Sequence, residues 1–403
     1  MASSRKATAI IFATVLIDMI GVTIILPSLP IYVEKFSTST FMISIMYSVF
    51  AACAFLAGPI MGSLSDRFGR KPVIVTCLLG TSLSWVVFAL SPNLWIIFLS
   101  RIIGGFSAGN LSVAQSYLTD ISSDEKDRAI KLGLIPTAIG IGFITGPGIG
   151  SLLAKISPSI PFWFTGALAF INGIAAIAFL PESIAAKQKD AKIQFNSFTT
   201  IWYGLTHKKY KTLILLLLAT SMSFESYHST FILFLNRRFD FSITNAGILL
   251  TCIGIMIAIN QLVLMKHFWL KYMRPYKIQL IASSALILLF LAATSARLRI
   301  FIPIIAILGV MEGTLTVING SELSGKAEEH ERGKIIGISH ALIAISQVIA
   351  PAMSGFFMDY HINAPWIISS FWMGIVFLIL IMHKRELKGT PLDFSGRHEL
   401  ENI

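Results

Sequence analysis

Long apolar runs alternate with short polar segments along the whole chain. Each run is about 20 residues long, which is the length of an α-helix that crosses a bilayer. The runs are too long and too continuously apolar for barrel strands, so they predict twelve membrane-spanning helices, numbered here as spans one to twelve. In chain order the spans lie at residues 7–32, 40–64, 72–91, 94–119, 130–154, 161–181, 210–235, 244–265, 276–296, 299–320, 333–357 and 363–383.

A polar stretch after span six divides the spans into two sets of six. The first run is longer than the apolar region of a signal peptide, so we expect it to be a retained span. The predicted segments are an N-terminal six-helix bundle at 1–181, a cytoplasmic linker at 182–209, a C-terminal six-helix bundle at 210–383 and a cytoplasmic tail at 384–403.

The two halves of the chain repeat one another at a constant offset of 204 residues. The matching pairs are Gly105 with Gly309, Gly109 with Gly313, Arg128 with Arg332, Gly133 with Gly337, and Pro147 with Pro351. Such a repeat predicts two pseudo-symmetric bundles with a binding site between them, near the middle of the membrane.

The distribution of charge supports this topology. Only 13% of residues are charged, against about 25% in soluble domains, so a cytosolic enzyme is excluded. With the N-terminus inside, 25 of the 32 lysines and arginines fall in inside segments and six in outside segments. This split predicts that both termini are cytoplasmic. It also explains the net charge of +11 without a nucleic-acid partner.

Known catalytic patterns are missing from the sequence. We find no metal-ligand cluster, nucleophile elbow or phosphate-binding loop at usable spacing, which argues against a membrane enzyme. The three cysteines lie inside apolar runs and carry no disulfide or metal spacing, so we expect them to be small packing residues.

Three stretches of the first half carry recognisable motifs. The loop after span two reads GSLSDRFGRK over residues 62–71, with spaced glycines, one acid and three bases. Span five reads GFITGPGIGS over residues 142–151, in which glycines allow close helix approach and proline bends the helix. Span one contains Asp18, followed by Pro27 and Pro30, and span four contains Arg101 three residues before Gly104.

Together these motifs resemble the major facilitator superfamily, and within it the drug:proton antiporters with twelve spans, in particular the tetracycline-exporter-like multidrug efflux branch. The loop motif matches the signature G-x-x-x-D-R-x-G-R-[KR]. Span five is similar to the antiporter motif G-x-x-x-G-P-x-x-G-G, with Ser151 in place of the last glycine, and Gly104 stands where the family's span-four motif usually has glutamine. Span nine has no acid and His267 lies at the cytoplasmic margin, two departures from the tetracycline exporters.

The resemblance implies an all-α membrane protein that exports small amphipathic or cationic molecules in exchange for protons. It implies no cofactor beyond the proton gradient, and we expect a monomer in the lipid bilayer, in a bacterial inner membrane. Two alternatives stay open, namely a proton-coupled importer of a siderophore, peptide or other metabolite, and a transport-inactive receptor. The implied antiporter motif consists of Gly142, Gly146, Pro147 and Gly150, and the implied cytoplasmic latch of Gly62, Asp66, Arg67, Gly69, Arg70, Asp120 and Arg332.

A few charged residues remain inside the predicted spans. A charge at the bilayer centre costs about 2.5–3.5 kcal/mol, and charges kept there are usually functional. The alternative for Arg101 is a static pair with an acid that only fixes helix packing. We predict that a proton-coupling group is found among Asp18, Glu225, Glu312, Arg101 and His228.

Polar and aromatic residues within the spans are candidates for the substrate cavity. Aromatic rings can stack on a planar ligand, and an unpaired amide facing lipid would be penalised. The candidates are Tyr32, Asn110, Gln115, Phe224, Tyr227, Phe231, Asn319 and Gln347.

Overall fold

The computed structural model describes residues 2–184, 208–326 and 332–384. In the first half the helices are Ala2–Ile24, Leu29–Val33, Thr40–Phe68, Arg70–Ala89, Leu94–Ser107, Asn110–Asp120, Glu125–Ala154 and Ile160–Phe179. In the second half they are Lys208–His228, Phe231–Phe239, Ile243–Ile259, Leu270–Tyr272, Pro275–Ser295, Leu298–Lys326, Arg332–Tyr360 and Ala364–Met382. A π-helical segment, Asn260–Trp269, continues span eight, and the described residues contain no strand.

The helices coincide with the predicted spans. By length and composition, eleven helical stretches among the described residues are long and apolar enough to cross a membrane. The stretch missing from this set is span seven, which carries Lys211 and Glu225 and is divided between Lys208–His228 and Phe231–Phe239. The prediction of an all-α membrane protein is confirmed.

Several helices begin at residues whose side chains accept a hydrogen bond from the first turn. Asn93 accepts from the Ile96 backbone N–H at 3.1 Å at the start of span four, and Asp124 accepts from the Asp127 backbone N–H at 2.8 Å before span five. These caps satisfy backbone donors that have no partner within the helix. The starts of these helices are therefore stabilised by short polar side chains that cap them.

Span five packs closely against span one because glycines remove the side chains between them. A Cβ atom on Gly150 would overlap the backbone carbonyl of Ile24, and one on Gly146 would overlap the Thr23 side chain. The Thr23 hydroxyl donates a hydrogen bond of 2.8 Å to the Gly142 carbonyl. The glycines thus allow close packing and a hydrogen bond from a span-one side chain to the backbone of span five.

The described helices form two compact units. The first comprises the described parts of Met1–Phe195, Ser226–Ala258 and Gln347–Pro365. Its core is built from apolar side chains of spans one, three, four, five and six, among them Ile11, Ile74, Val113, Ala138 and Ala176.

The second unit comprises the described parts of Asn196–Glu225, Ile259–Ser346 and Trp366–Ile403. Its core includes Trp269 and Ile278, together with Ile318 of span ten. The division into segments at 1–181, 182–209, 210–383 and 384–403 stays a prediction.

Replacing Gly150 by alanine should destabilise the protein, because the new Cβ meets backbone atoms of Ile24 that cannot rotate away. We expect a loss of about 1–3 kcal/mol, seen as a lower thermal unfolding midpoint in detergent. Gly140 on the same helix has open space around its Cα, so Gly140→Ala is the matched control and should be neutral or stabilising. Equal midpoints for the two variants would contradict this account of the packing.

Candidate functional site

Asp18 of span one lies beside Asn110 of span four. The side-chain amide of Asn110, which is 7% exposed, donates a hydrogen bond to Asp18 Oδ2. The other oxygen, Asp18 Oδ1, is buried and has no hydrogen-bonding partner among the described residues. Asp18 therefore accepts a hydrogen bond from a neutral donor at one oxygen, and its other oxygen has no described donor.

A break in span four brings Asn110 to this position. The helix ends at Ser107 and a new one begins at Asn110, with Gly109 at the start of the second segment. A Cβ on Gly109 would come within 2.7 Å of the Met61 side chain in span two. Because Gly109 has no side chain, span four can approach span two closely at the point where its helix is interrupted.

Arg101, also of span four, is enclosed by aromatic rings. Its guanidinium carbon lies 4.1 Å from the ring centre of Trp85, 4.7 Å from that of Phe88 and 5.8 Å from that of Phe50. The residue is 4% exposed, and its Nε and Nη2 atoms have no hydrogen-bonding partner within the described part of the chain. Cation–π attraction stabilises the charge here in place of a counter-ion.

This environment bears on the alternative of a static ion pair. No carboxylate among the described residues lies within ion-pair distance of Arg101. The alternative, in which Arg101 pairs with an acid to fix helix packing, finds no support in this geometry. Arg101 and Asp18 belong to the same unit, and neither has an ion-pair partner in the part of the chain that the structure describes.

The remaining proton-coupling candidates occupy two helices of the second half. Glu312 is 9% exposed in span ten. Glu225 is half-buried in the last turn of the Lys208–His228 helix. His228 is exposed and ends that helix, with its ring centre 4.3 Å from that of Tyr227. Glu312 thus lies in a helix that is long and apolar enough to cross a membrane, whereas Glu225 lies in span seven, which is outside that set.

The loop after span two forms a polar cluster around Arg70. Arg70 Nη1 lies 2.7 Å from Asp66 Oδ1, and Arg70 Nε lies 3.0 Å from Asp120 Oδ2. Nη1 also donates to the Ser65 hydroxyl at 2.5 Å. Arg70 is 8% exposed, whereas the Asp66 and Asp120 side chains are 40% and 26% accessible. The planar guanidinium therefore joins the ends of spans two and four in a partly exposed contact.

Glu182 completes this cluster and was not among the predicted residues. Its Oε1 accepts a hydrogen bond of 2.9 Å from the Arg70 backbone N–H, at the N-terminus of span three. Gly69, which adopts a φ of 111°, leaves room for the Glu182 carboxylate that a Cβ would overlap. Ser183 adds a hydrogen bond of 3.0 Å to Asp120 Oδ2. The sequence signal for Glu182 was its place directly after Pro181, at the end of span six.

Three other residues of the predicted latch contribute less to the cluster. Arg67 is exposed, with its guanidinium carbon 5.4 Å from the Phe68 ring centre. Gly62 has no atom near the position of a Cβ. The side chain of Arg332 lies outside the described residues.

The glycine motif of span five also contacts span eight. A Cβ on Gly247 of span eight would lie 2.6 Å from the Pro147 carbonyl and would overlap Ser151. Gly142, Gly146, Pro147 and Gly150 are all buried. Ser151 therefore keeps the close approach that the family's last glycine provides, because Gly247 supplies the space.

The predicted cavity residues fall into different environments. Tyr32 is 7% exposed and packs edge-on against Phe162 at 4.9 Å within an aromatic cluster. Gln115 and Gln347 are exposed. The buried members are Asn110, Phe224, Tyr227, Phe231 and Asn319.

Span ten contains a second buried acid besides Glu312. This residue, Glu322 at the end of the helix, was not among the residues predicted from the sequence. Glu322 is 2% exposed, and its Oε2 accepts a hydrogen bond of 2.7 Å from Gln279 of span nine. Gln279 also donates to Asn319 at 3.0 Å, and Asn319 donates to Thr220 of span seven at 3.1 Å. The network occupies Asn319 inside the second unit and gives Glu322 a packing role that hydropathy alone did not indicate.

The comparisons with known proteins agree with this architecture. A sequence model described as Major Facilitator Superfamily matches residues 11–292. The chain is 28% identical to multidrug resistance protein 1 of Bacillus subtilis, over 95% of this chain and 98% of the relative. It is 24% identical to the class H tetracycline resistance protein of Pasteurella multocida, over 96% of this chain and 98% of the relative.

A solved structure supports the fold. The bacterial homologue of the human lysosomal transporter Spinster aligns with a TM-score of 0.74 at 14% identity, over 94% of this chain and 96% of that one. At this identity the likeness shows the fold alone. The predicted fold class is confirmed.

Replacing Arg101 by methionine should leave the thermal unfolding midpoint unchanged or raise it. The substitution removes a buried charge that lacks a counter-ion, and apolar replacements of buried charges are often neutral or stabilising by about 1–4 kcal/mol. Arg70→Met is the matched control and should lower the midpoint, because Asp66 and Asp120 lose their partner. A fall for Arg101→Met as large as that for Arg70→Met would contradict the absence of a structural ion pair.

Proposed function

This chain belongs to the Major Facilitator Superfamily, and from that premise we propose that it exports small amphipathic or cationic molecules in exchange for protons, by alternating access. It is a multi-pass membrane transporter and not an enzyme. The observation that carries the proposal is similarity over 95% and 96% of the chain to proteins named for multidrug and tetracycline resistance.

The chemistry of exchange is assigned to the buried carboxylates. Asp18 is bound by the neutral amide of Asn110 and keeps a buried oxygen without a described partner. Such a carboxylate can be neutralised by a proton or paired with the cationic group of a ligand. Because the two compete for one negative charge, arrival of the ligand expels the proton. Glu225 and Glu312 are the other candidates for this role.

Arg101 and His228 are assigned to the same proton-coupling group. Arg101 lies on the same span as Asn110 and carries a positive charge with no described counter-ion. A positive charge of this kind attracts an anionic group and repels a second cation.

The latch is proposed to stabilise the outward-open state. It consists of Gly62, Asp66, Arg67, Gly69, Arg70, Asp120 and Arg332. The contacts of Arg70 with Asp66 and Asp120 support it, because they tie together the ends of spans two and four. Loss of the Asp66 carboxylate would leave the Arg70 guanidinium with Asp120 and the Ser65 hydroxyl and would loosen the turn between spans two and three.

Localisation, cofactors and partners follow the same reasoning. We assign the protein to a bacterial inner membrane with both termini in the cytoplasm, since 25 of the 32 basic residues then fall on the inner side. The protein needs the proton gradient and no cofactor. Its proposed partners are the lipid bilayer, protons and a small-molecule substrate, with no nucleic acid, and it acts as a monomer.

Collapse of the proton gradient tests the direction of transport. Cells that express the protein should take up more of a fluorescent cationic dye when an uncoupler is added, because export stops. Asp66→Asn, inserted at an equal level, should show high dye content before and after the uncoupler. Uncoupling also collapses the membrane potential that draws a cationic dye into cells, so cells without the protein are the reference. A larger fall in dye content than in these cells would indicate an importer instead, and normal export by Asp66→Asn would contradict the latch.

Amide substitution tests the coupling carboxylates. Asp18→Asn, Glu225→Gln and Glu312→Gln each keep the shape of the side chain and remove its charge and its titration. We expect at least one of them to lose dye-driven proton release from proteoliposomes. Glu125→Gln, at the exposed start of span five, is the control and should release protons normally. Full coupling in all three variants would rule out these acids.

A further inference from the structure

Six polar residues at the ends of four spans form a second charged cluster, apart from the site described above. We call this cluster the clasp. Glu34, Thr38, Ser39 and Thr40 lie between spans one and two, Arg237 lies near the end of span seven, and Asp359 lies near the end of span eleven. All six belong to the first compact unit.

Arg237 holds the segment between spans one and two through four contacts. Its Nε and Nη2 atoms lie 3.1 and 3.0 Å from Glu34 Oε1. Nη1 donates to the Thr40 hydroxyl at 2.6 Å, and Nη2 donates to the Thr38 carbonyl at 2.7 Å. All three nitrogen atoms of the guanidinium are therefore engaged, which a lysine could not reproduce.

Asp359 holds the beginning of span two. Its Oδ2 accepts hydrogen bonds from the Ser39 hydroxyl at 2.7 Å and from the Phe41 backbone N–H at 3.1 Å. Its Oδ1 accepts from the Thr40 backbone N–H at 2.5 Å. A carboxylate at a helix N-terminus satisfies free backbone donors and interacts favourably with the helix dipole. Thr40 is completely buried and lies between Asp359 and Arg237.

The clasp joins parts of the chain that are far apart in sequence. Arg237 is 203 residues from Glu34, and Asp359 is 320 residues from Ser39. Glu34 and Ser39 belong to the first half of the chain, and Arg237 and Asp359 belong to the second half. The distribution of basic residues predicts that this end of the spans faces outward.

We propose that the clasp is a gate at the outer end of the transport pathway, which Arg237 and Asp359 must release before substrate leaves on that side. This proposal rests on the proposed export function. The contacts suit a gate because they are polar and partly exposed, with 27% and 22% of the Arg237 and Glu34 side chains accessible. Water can replace such hydrogen bonds when they break, so each adds only a modest barrier to opening.

The test measures opening of the clasp directly. Phe41 and Phe356 have ring centres 6.0 Å apart beside the clasp. In a background with Cys53, Cys77 and Cys252 replaced by serine, the pair Phe41→Cys and Phe356→Cys should be joined rapidly by a short bifunctional thiol reagent. The rate reports how much of the time this end is closed, and it needs no substrate.

Substitution of the clasp should slow this cross-linking. We expect Glu34→Gln, Arg237→Gln and Asp359→Asn each to reduce the rate by about fivefold or more. Because Glu34 and Arg237 act through one interaction, the double variant should be no slower than Arg237→Gln alone. Arg299→Gln is the control, since Arg299 is an exposed arginine on the same predicted side with no ion pair to the described residues.

The outcomes separate the gate from a static contact. Unchanged cross-linking in folded variants, or additive effects of Glu34→Gln and Arg237→Gln, would overturn the clasp as a gate. If Arg237→Gln fails to fold, Arg237→Lys keeps the charge but not the planar fork, and it should give an intermediate rate. If the clasp variants are cross-linked more slowly but the unsubstituted protein exports no dye, the export function would be refuted and the gate would remain supported. Normal dye export with unchanged cross-linking would refute the clasp alone.

Discussion

The absence of water from the bilayer core is the constraint on which this structure depends. Every backbone donor and acceptor inside the spans must be satisfied within the protein, so the chain is helical wherever it is apolar. Within the described spans the helix is interrupted at residues 25–28 in span one, at 108–109 in span four and at 229–230 in span seven. Each interruption contains a proline, glycine or hydroxyl residue. The same constraint makes it energetically costly to bury a charged side chain in this region. Few residues of the spans are therefore charged.

Charges are treated differently at the ends of the spans and in their interior. At the ends, the Arg70 side chain binds two carboxylates and a hydroxyl, and Arg237 binds one carboxylate and two further acceptors, in contacts that water can replace. In the interior, aromatic rings surround Arg101, and Asp18 accepts a hydrogen bond from the amide of Asn110. Paired charges at the ends can stabilise one conformation of the protein and can break when the conformation changes. Unpaired charges in the interior are suited to binding a proton or a ligand.

Sequence patterns predicted the positions of the spans closely, and they predicted the cluster of Arg70, Asp66 and Asp120 through resemblance. They did not predict Glu182, which lies in the polar stretch after span six but folds back onto the N-terminus of span three. They also missed Glu322, because the residue that donates a hydrogen bond to it, Gln279, is 43 residues away in the chain. In both cases the deciding contact joins distant segments, and no local pattern reports it.

The sequence by itself determined the helical membrane fold, the order of the spans and the residues that carry charge into them, because hydropathy acts locally along the chain. The tertiary structure alone decided which of those charges are paired. It gave Arg101 aromatic neighbours where an acid was the alternative, and it brought Arg237 and Asp359 to the start of span two. The reason is physical: the free energy of a charge depends on the atoms packed within a few ångströms of it, and the fold chooses those atoms.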